Sequence, residues 1–304
     1  MISKPVQILG LDVGNSQIKT RHTCFANGID RLTSDPILHN NAFECESVKF
    51  QTGINRQKIS DNKFEDNTFY YQHLVAAGAE LTVRGVHEAD VVLAVGTPIA
   101  RFGVEKKRYI QYLMKKRDIN FCYAGIAFHI NIDRVLVFPQ CYAAIVDRLS
   151  EMSEVEYVVD IGSWTVDYMK IVNRTPDEAS CTSDPNGLIT VMRKIDDACV
   201  RRMNTKIDEF MIRQVMINGT ANLDQVYIDL IKEELREYTK SILKTMTEKG
   251  INIKTTPITF VCGGAKIMRE YSGISQRNIS FIEDVKANAI GYETLAKIYM
   301  DNRK

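Results

Sequence analysis

The stretch that decides the fold is LGLDVGNSQIKT, Leu9–Thr20. An apolar run that should bury itself stops on Asp12, Gly14 and Ser16, and an alternating segment follows. The same design returns as YVVDIGSWTVDY, Tyr157–Tyr168, where Asp12 falls on Asp160, Gly14 on Gly162, Asn15 on Ser163 and Ile18 on Val166, an offset of 148 residues (160 − 12). The alternation predicts Ile18, Thr20, His22 and Cys24 on one face of the first copy. It predicts Val166, Tyr168, Lys170 and Val172 on one face of the second. Each copy is thus expected to be a β-hairpin with an acid and a glycine at its turn. Two such hairpins half a chain apart suggest two similar domains facing each other.

The chemistry of such a turn follows from its residue types. Gly14 and Gly162 leave no Cβ to block a ligand and let backbone amides turn outward. Successive outward amides make a nest for anionic oxygens. The hydroxyls of Ser16, Ser163 and Thr165 add donors, and Lys19 can reach a phosphate as a point charge. Asp12 and Asp160, at strand ends, suit a hydrated Mg²⁺, which keeps several waters and takes few carboxylates. Either hairpin alone reads as an ordinary Asp/Gly turn. The pair at matched positions reads as a two-sided clamp on a polyphosphate and its metal.

Bulk properties narrow the classes. At 304 residues the chain exceeds what one core usually serves, so two domains are expected. With 45% apolar and 25% charged residues it has the composition of a globular protein, and a net charge of +1 points to no polyanionic partner. The seven cysteines form no C-x-x-C pair and have no histidines at metal spacing, which argues against zinc and redox motifs and for a reducing compartment. The opening MISKPVQILG has too short an apolar run for a signal peptide, and no segment reaches membrane-spanning length. A cytoplasmic protein is expected.

Elsewhere, ADVVLAVGTPIARFG (Ala89–Gly103) predicts a buried strand and a Gly-x-Pro loop, and VEKKRYIQYLMKKRD after it a helix with a solvated basic face. IDRVLVFPQCYAAIVDRL predicts a strand over Arg134–Phe138, then a helix opened by Pro139 with Gln140 at its start. A helix is expected from Gly187. A longer one is expected to be capped by Asn222, with Gln225 three residues on, and stopped at Gly250. ITFVCGGAKIMREY predicts a strand over Ile258–Cys262, a Gly263-Gly264 turn and a helix; such a turn serves packing or admits a flat or anionic ligand. FIEDVKANAIGYETLAKIYM predicts a C-terminal helix with Ala287, Ala289 and Gly291 on a smooth face, able to cross the Pro139 helix.

This order of parts resembles the actin, Hsp70 and sugar-kinase superfamily, and most of all the bacterial actin-like proteins of the ParM/StbA plasmid-segregation group. The resemblance rests on LGLDVGNSQIKT, VGTPI, FPQCYAA, VVDIGSWTVDYMKI and FVCGGA, and is weakest over Gly28–Arg84 and Arg174–Lys254. It implies an actin-like α/β fold, with two RNase H-like domains flanking a nucleotide cleft. The first domain takes in residues 1–145 and 281–304, and the second residues 146–280. It implies ATP or ADP, or GTP, with Mg²⁺. Asp12 and Asp160 then stand on the metal side, and Gly14, Asn15, Ser16, Lys19, Gly162, Ser163 and Thr165 at the phosphates. Gly263 and Gly264 resemble the adenosine turn, Gly187 the glycine across the adenine, and Gln140 the residue that positions the attacking water. A glutamine orients water but is no strong base, so slow hydrolysis is expected. The family implies polymerisation with bound nucleotide, and plasmid DNA segregation through a DNA-binding adaptor on a centromere-like site, with no direct nucleic-acid or membrane contact.

Two alternatives remain open on sequence. One is a small-molecule kinase of the same fold, for which Asp147 and Asp167 are the nearest base candidates, neither in a recognisable base motif. The other is a nucleotide-binding scaffold with weak hydrolysis, signalled by Trp164 where a small residue is usual. Trp164 either points into a core, caps the nucleotide or marks altered chemistry.

Overall fold

The computed structural model describes residues 6–36, 39–57, 63–65 and 67–302. Along the chain run β1 (Val6–Val13), β2 (Gln17–Lys19), β3 (Cys24–Ala26), β4 (Ile29–Arg31), β5 (Ala42–Cys45), β6 (Val48–Thr52), α1 (Thr68–Arg84), β7 (Glu88–Thr97), α2 (Ile99–Leu113), β8 (Asp118–Tyr123) and β9 (Ile126–Pro139). A 3₁₀ segment, Ala143–Arg148, is followed by β10 (Val155–Ile161), β11 (Val166–Val172), β12 (Thr175–Pro176), β13 (Thr182–Asp184), α3 (Leu188–Met203), α4 (Glu209–Asn218), α5 (Gln225–Glu248), β14 (Ile258–Val261), α6 (Gly263–Tyr271), β15 (Ile279–Ile282) and α7 (Ala287–Asp301). The chain divides into two compact units, Met1–Asp147 with Val285–Lys304, and Arg148–Asp284.

In the first unit the sheet order is β3-β2-β1-β7-β9-β8-β5-β6-β4, with β1, β7 and β9 parallel at its centre. β7 is an almost continuous apolar run, as a strand covered on both faces must be. Leu9, Leu11, Val91 and Leu93 bury against α1 and α2 side chains such as Phe69, Leu74, Tyr109 and Leu113. Ala94, which lies between Leu93 and Val95 on the opposite face of β7, packs with Tyr292 and Ala296 of α7. Helix α1 has no counterpart in the sequence expectations. From Phe69 to Leu81 every residue is buried, so the segment carries no polar stripe to betray its period.

Several local expectations give way. The strand after Gln17 ends at Lys19, so Ile18, Thr20, His22 and Cys24 do not share one strand face. Thr20–Thr23 forms a turn in which the buried Glu80 carboxylate accepts from the Thr20 hydroxyl (2.6 Å) and the His22 amide (3.2 Å). α2 begins at Ile99 behind Pro98 and runs through Gly103, in place of a longer loop. Pro139 closes strand β9, itself longer than Arg134–Phe138, and opens no α-helix. Cys141 takes φ +63°, and its amide donates to Asn288 Oδ1 at 3.2 Å, which turns the chain away from a helical path. α7 does press on this segment: a Cβ on Gly291 would lie 1.8 Å from the Ala143 carbonyl oxygen.

In the second unit the order is β12-β11-β10-β14-β15, with β13 also on β11, and β10, β14 and β15 parallel. α5 starts at Gln225 behind Asp224, two residues later than the Asn222 cap expected. Gly250, at φ +79°, follows its end as expected. β14 stops at Val261. Cys262 caps α6, and Gly263-Gly264 form that helix's first turn and not a separate one. Phe281 and Ile282 belong to β15, and the C-terminal helix starts at Ala287.

Candidate functional site

The two hairpins repeat in geometry as they do in sequence. Asp12 pairs with Lys19 and Val13 with Ile18 across β1–β2; Asp160 pairs with Asp167 and Ile161 with Val166 across β10–β11. The Gly14 amide donates to the Gln17 carbonyl at 3.0 Å, and the Gly162 amide to the Thr165 carbonyl at 2.9 Å. Every one of these positions is related by the same offset. Gly14 and Gly162 are both absent from the positive-φ backbone positions, and their amides close the hairpins instead of facing outward. In each turn the amides of the next two residues, Asn15 and Ser16, and Ser163 and Trp164, donate to no acceptor among the described residues. Each hairpin stands at the carboxyl ends of the parallel strands of its own unit, the edge where open α/β sheets bind ligands.

In the first half-site Asp12 is buried and ion-paired to Lys19 at 2.9 Å. The space beside Gly14 is already occupied: an added Cβ would lie 3.2 Å from the Gln17 carbonyl oxygen, a tight contact, and 3.5 Å from the Lys19 ammonium. The Ser16 hydroxyl is buried, 1% exposed, and has no hydrogen-bond partner among the described residues. An orphaned buried hydroxyl is destabilising unless a ligand or water meets it. A residue the sequence pattern does not single out holds this turn. Asn27, just past β3 and buried, donates its side-chain amide to the Gly14 carbonyl (2.9 Å) and its backbone amide to the Ser16 carbonyl (3.1 Å). It is itself fixed by the Gln57 amide on its side-chain oxygen. The Asn27-Gly28 dipeptide signals a turn and says nothing of this bracing.

In the second half-site Asp160 and Asp167 are both buried and directly opposed across the ladder, where the first hairpin opposes an acid to a lysine. Like charges so placed disfavour each other unless a cation or hydrogen bonds compensate. The Thr165 hydroxyl donates to Asp167 Oδ2 at 2.9 Å, and the Cys262 thiol lies 3.6 Å from Asp160 Oδ2. The amides of Gly187, Leu188 and Ile189, at the start of α3, donate to the carbonyls of Trp164, Gly162 and Ser163. The helix terminus therefore fastens the turn from behind. A Cβ on Gly187 would lie 2.5 Å from the Trp164 carbonyl carbon, which gives this glycine a packing reason for its place. Gly264 likewise lies against Ile161. Trp164 is partly exposed, with the Arg193 guanidinium 5.9 Å from its ring centre; it does not join the core.

Gln140 directly follows β9, and its amide donates to the Thr97 carbonyl at 3.0 Å. It thus shares the carboxyl edge of the first unit's central strands with Asp12. Asp12, Gly14, Asn15, Ser16, Lys19 and Gln140 are gathered at this edge. Asp160, Gly162, Ser163, Thr165, Gly187, Gly263 and Gly264 are gathered at the corresponding edge of the second unit. Open amides, an orphaned hydroxyl and a lysine fit anionic oxygens, and buried strand-end carboxylates fit a hydrated divalent cation. No helix among the described residues is long and apolar enough to cross a membrane.

Comparison with known proteins agrees with this architecture. Residues 37–142 match the family described as actin like proteins N terminal domain, a segment that contains Gln140 but neither hairpin. Among curated proteins no match is found. The archaeal actin homologue Ta0583 superposes with a TM-score of 0.78 at 18% identity, covering 96% of this chain and 99% of that one. A ParM of Bacillus thuringiensis solved with ATP gives 0.71 at 12% identity, covering 97% and 99%. The Alp12 filament structure gives 0.65 at 14% identity, covering 98% and 99%. The protein has the actin-like fold. Residues 37–142 match an actin-like N-terminal domain, and the structural likeness of the whole chain is to ParM-type and archaeal actins.

Proposed function

We propose that this chain is a nucleotide-driven, filament-forming ATPase of the actin-like type, and that both hairpins hold the phosphates of one nucleotide. The observation that carries the proposal is the matched pair of hairpins, each with two open amides beside a buried strand-end aspartate. The Ser16 hydroxyl and Lys19 complete the first anion site; Ser163 completes the second, beside Thr165, whose hydroxyl donates to Asp167. Asp12 and Asp160 would hold Mg²⁺ through water. When bound, the metal would neutralise phosphate charge. Gln140 would orient a water toward the terminal phosphate without taking its proton, so turnover is slow. The ParM solved with ATP and the Alp12 filament support nucleotide use and self-assembly by this fold. Segregation of plasmid DNA through an adaptor is the cellular role we infer from ParM likeness. The choice between ATP and GTP is read from the same binding experiment.

That experiment measures Mg-ATP and Mg-GTP binding to the full chain and to Asp12→Asn and Asp160→Asn. The expected result is one nucleotide per chain, with both substitutions weakening that single event at least about tenfold, as loss of a charged contact does. Two independent events, each sensitive to one aspartate, would overturn the shared site.

A further inference from the structure

A cation that the sequence motifs do not include lies within electrostatic reach of the first half-site. Lys63 lies just before α1, in a segment where no motif is legible. Its side chain is half-buried, and its ammonium sits 5.2 Å from the Phe69 ring centre. Among the described residues it makes no ion pair and no hydrogen bond. Yet it interacts electrostatically with Asp12 and Lys19 of the hairpin and with Arg101 and Glu105 of α2. Both acids are already engaged. Asp12 is paired to Lys19 at 2.9 Å, and Glu105 accepts the Thr97 hydroxyl at 2.6 Å and lies 3.6 Å from Arg101.

Two further titratable neighbours among the described residues, His73 and Tyr109, are neutral. His73 of α1 is buried between the Phe69 carbonyl (2.6 Å) and the Tyr109 hydroxyl (2.7 Å), and burial lowers its pKa to about 4. Burial also drives the Tyr109 phenol far up, so it stays protonated. Among the described residues the cluster around Asp12 therefore presents the cations Lys19, Lys63 and Arg101 to the carboxylates Asp12 and Glu105, an excess of positive charge. Beside it stands the orphaned Ser16 hydroxyl. An ammonium partly withdrawn from water, with no ion pair or hydrogen bond among the described residues, is unfavourable by itself, and an arriving anion removes that penalty.

We propose that Lys63 is a phosphate-binding residue of the first half-site, acting beside Lys19 on the anionic end of the nucleotide. This rests on the nucleotide reading of the hairpins. Burial lowers the affinity of Lys63 for its proton in the free chain, and anion binding restores it, so triphosphate binding takes up protons at alkaline pH.

The test uses the full chain, with Lys63→Gln and Lys63→Arg, and the probes Mg-ATP, inorganic triphosphate and adenosine. Lys63→Gln is expected to weaken Mg-ATP and triphosphate binding at least about tenfold, as loss of a charged hydrogen bond does, with Lys63→Arg within about threefold of wild type. Adenosine affinity is expected to stay unchanged, which a merely unfolded variant would not show. As a second readout, Lys63 in the wild-type chain should be protected from amine acetylation by triphosphate and not by adenosine. Wild-type binding of Mg-ATP with equal affinity in Lys63→Gln, or acetylation of Lys63 indifferent to triphosphate, overturns the role of Lys63 alone. Failure of the wild type to bind any of the probes overturns the nucleotide reading itself, and this inference with it.

Discussion

Asn27 shows how much a single side chain can decide at this site. Its side-chain and backbone amides hold the carbonyls of Gly14 and Ser16, which directs the amides of Asn15 and Ser16 away from the hairpin ladder. Asn27→Ala leaves the half-buried Gly14 carbonyl without its donor. It is expected to lower stability by about 1–3 kcal/mol in denaturant unfolding and to weaken triphosphate binding, while Asn27→Asp, which can only accept, does no better. A variant with wild-type stability and affinity would remove Asn27 from the site. No pattern in the sequence signals this role, because Asn-Gly is common in turns and its partners lie 11 and 13 residues back, not at any periodic spacing. Asp12 and Asp160 are legible for the opposite reason: a carboxylate ending a buried strand is chemically out of place, and it happens twice. Asp167 is visible in sequence only as a weak kinase-base candidate. Its position opposite Asp160 emerges from strand register.

At the scale of elements, α1 is the piece that sequence patterns miss and stability depends on. It lies buried along most of its length, and through His73 it meets α2 at Tyr109. His73 Nδ1–H donates to the Phe69 carbonyl, so Nε2 accepts the Tyr109 hydroxyl and the ring is neutral. Its folded pKa, about 4, lies below the ordinary 6.5. Stability from the neutral ring is therefore complete above pH 6.5 and is lost as pH falls toward 4, by up to about 3 kcal/mol. Unfolding measured across that range should show this slope, and His73→Gln should flatten it by a comparable amount. An unchanged slope would mean that other groups carry the acid sensitivity. The central strands were readable as continuous apolar runs, and α3 and α5 as amphipathic helices. The Pro139 segment was not, because a proline near a predicted helix start looks the same whether it opens a helix or closes a strand. What decides it is tertiary: Cys141 and Ala143 are held by Asn288 and Gly291 of α7, far along the chain.

For the whole molecule, the terminal phosphate would be the group that both units recognise, each through its own hairpin. Its loss on hydrolysis would then release a conformation on which subunit contacts depend. Contacts between unlike faces propagate without closing, so a filament needs no symmetry beyond the chain itself. Because Gln140 can orient water but not deprotonate it, assembly should precede hydrolysis and outlast it for a time. The most direct measurement is light scattering with electron microscopy of the full chain after addition of Mg-ATP, Mg-GTP or Mg-ADP. A triphosphate should raise scattering and yield filaments that shorten as it is consumed, the diphosphate should not, and Gln140→Ala should assemble normally but decay more slowly. Filaments that form equally without nucleotide, or no filaments under any of these conditions, would contradict the proposed function.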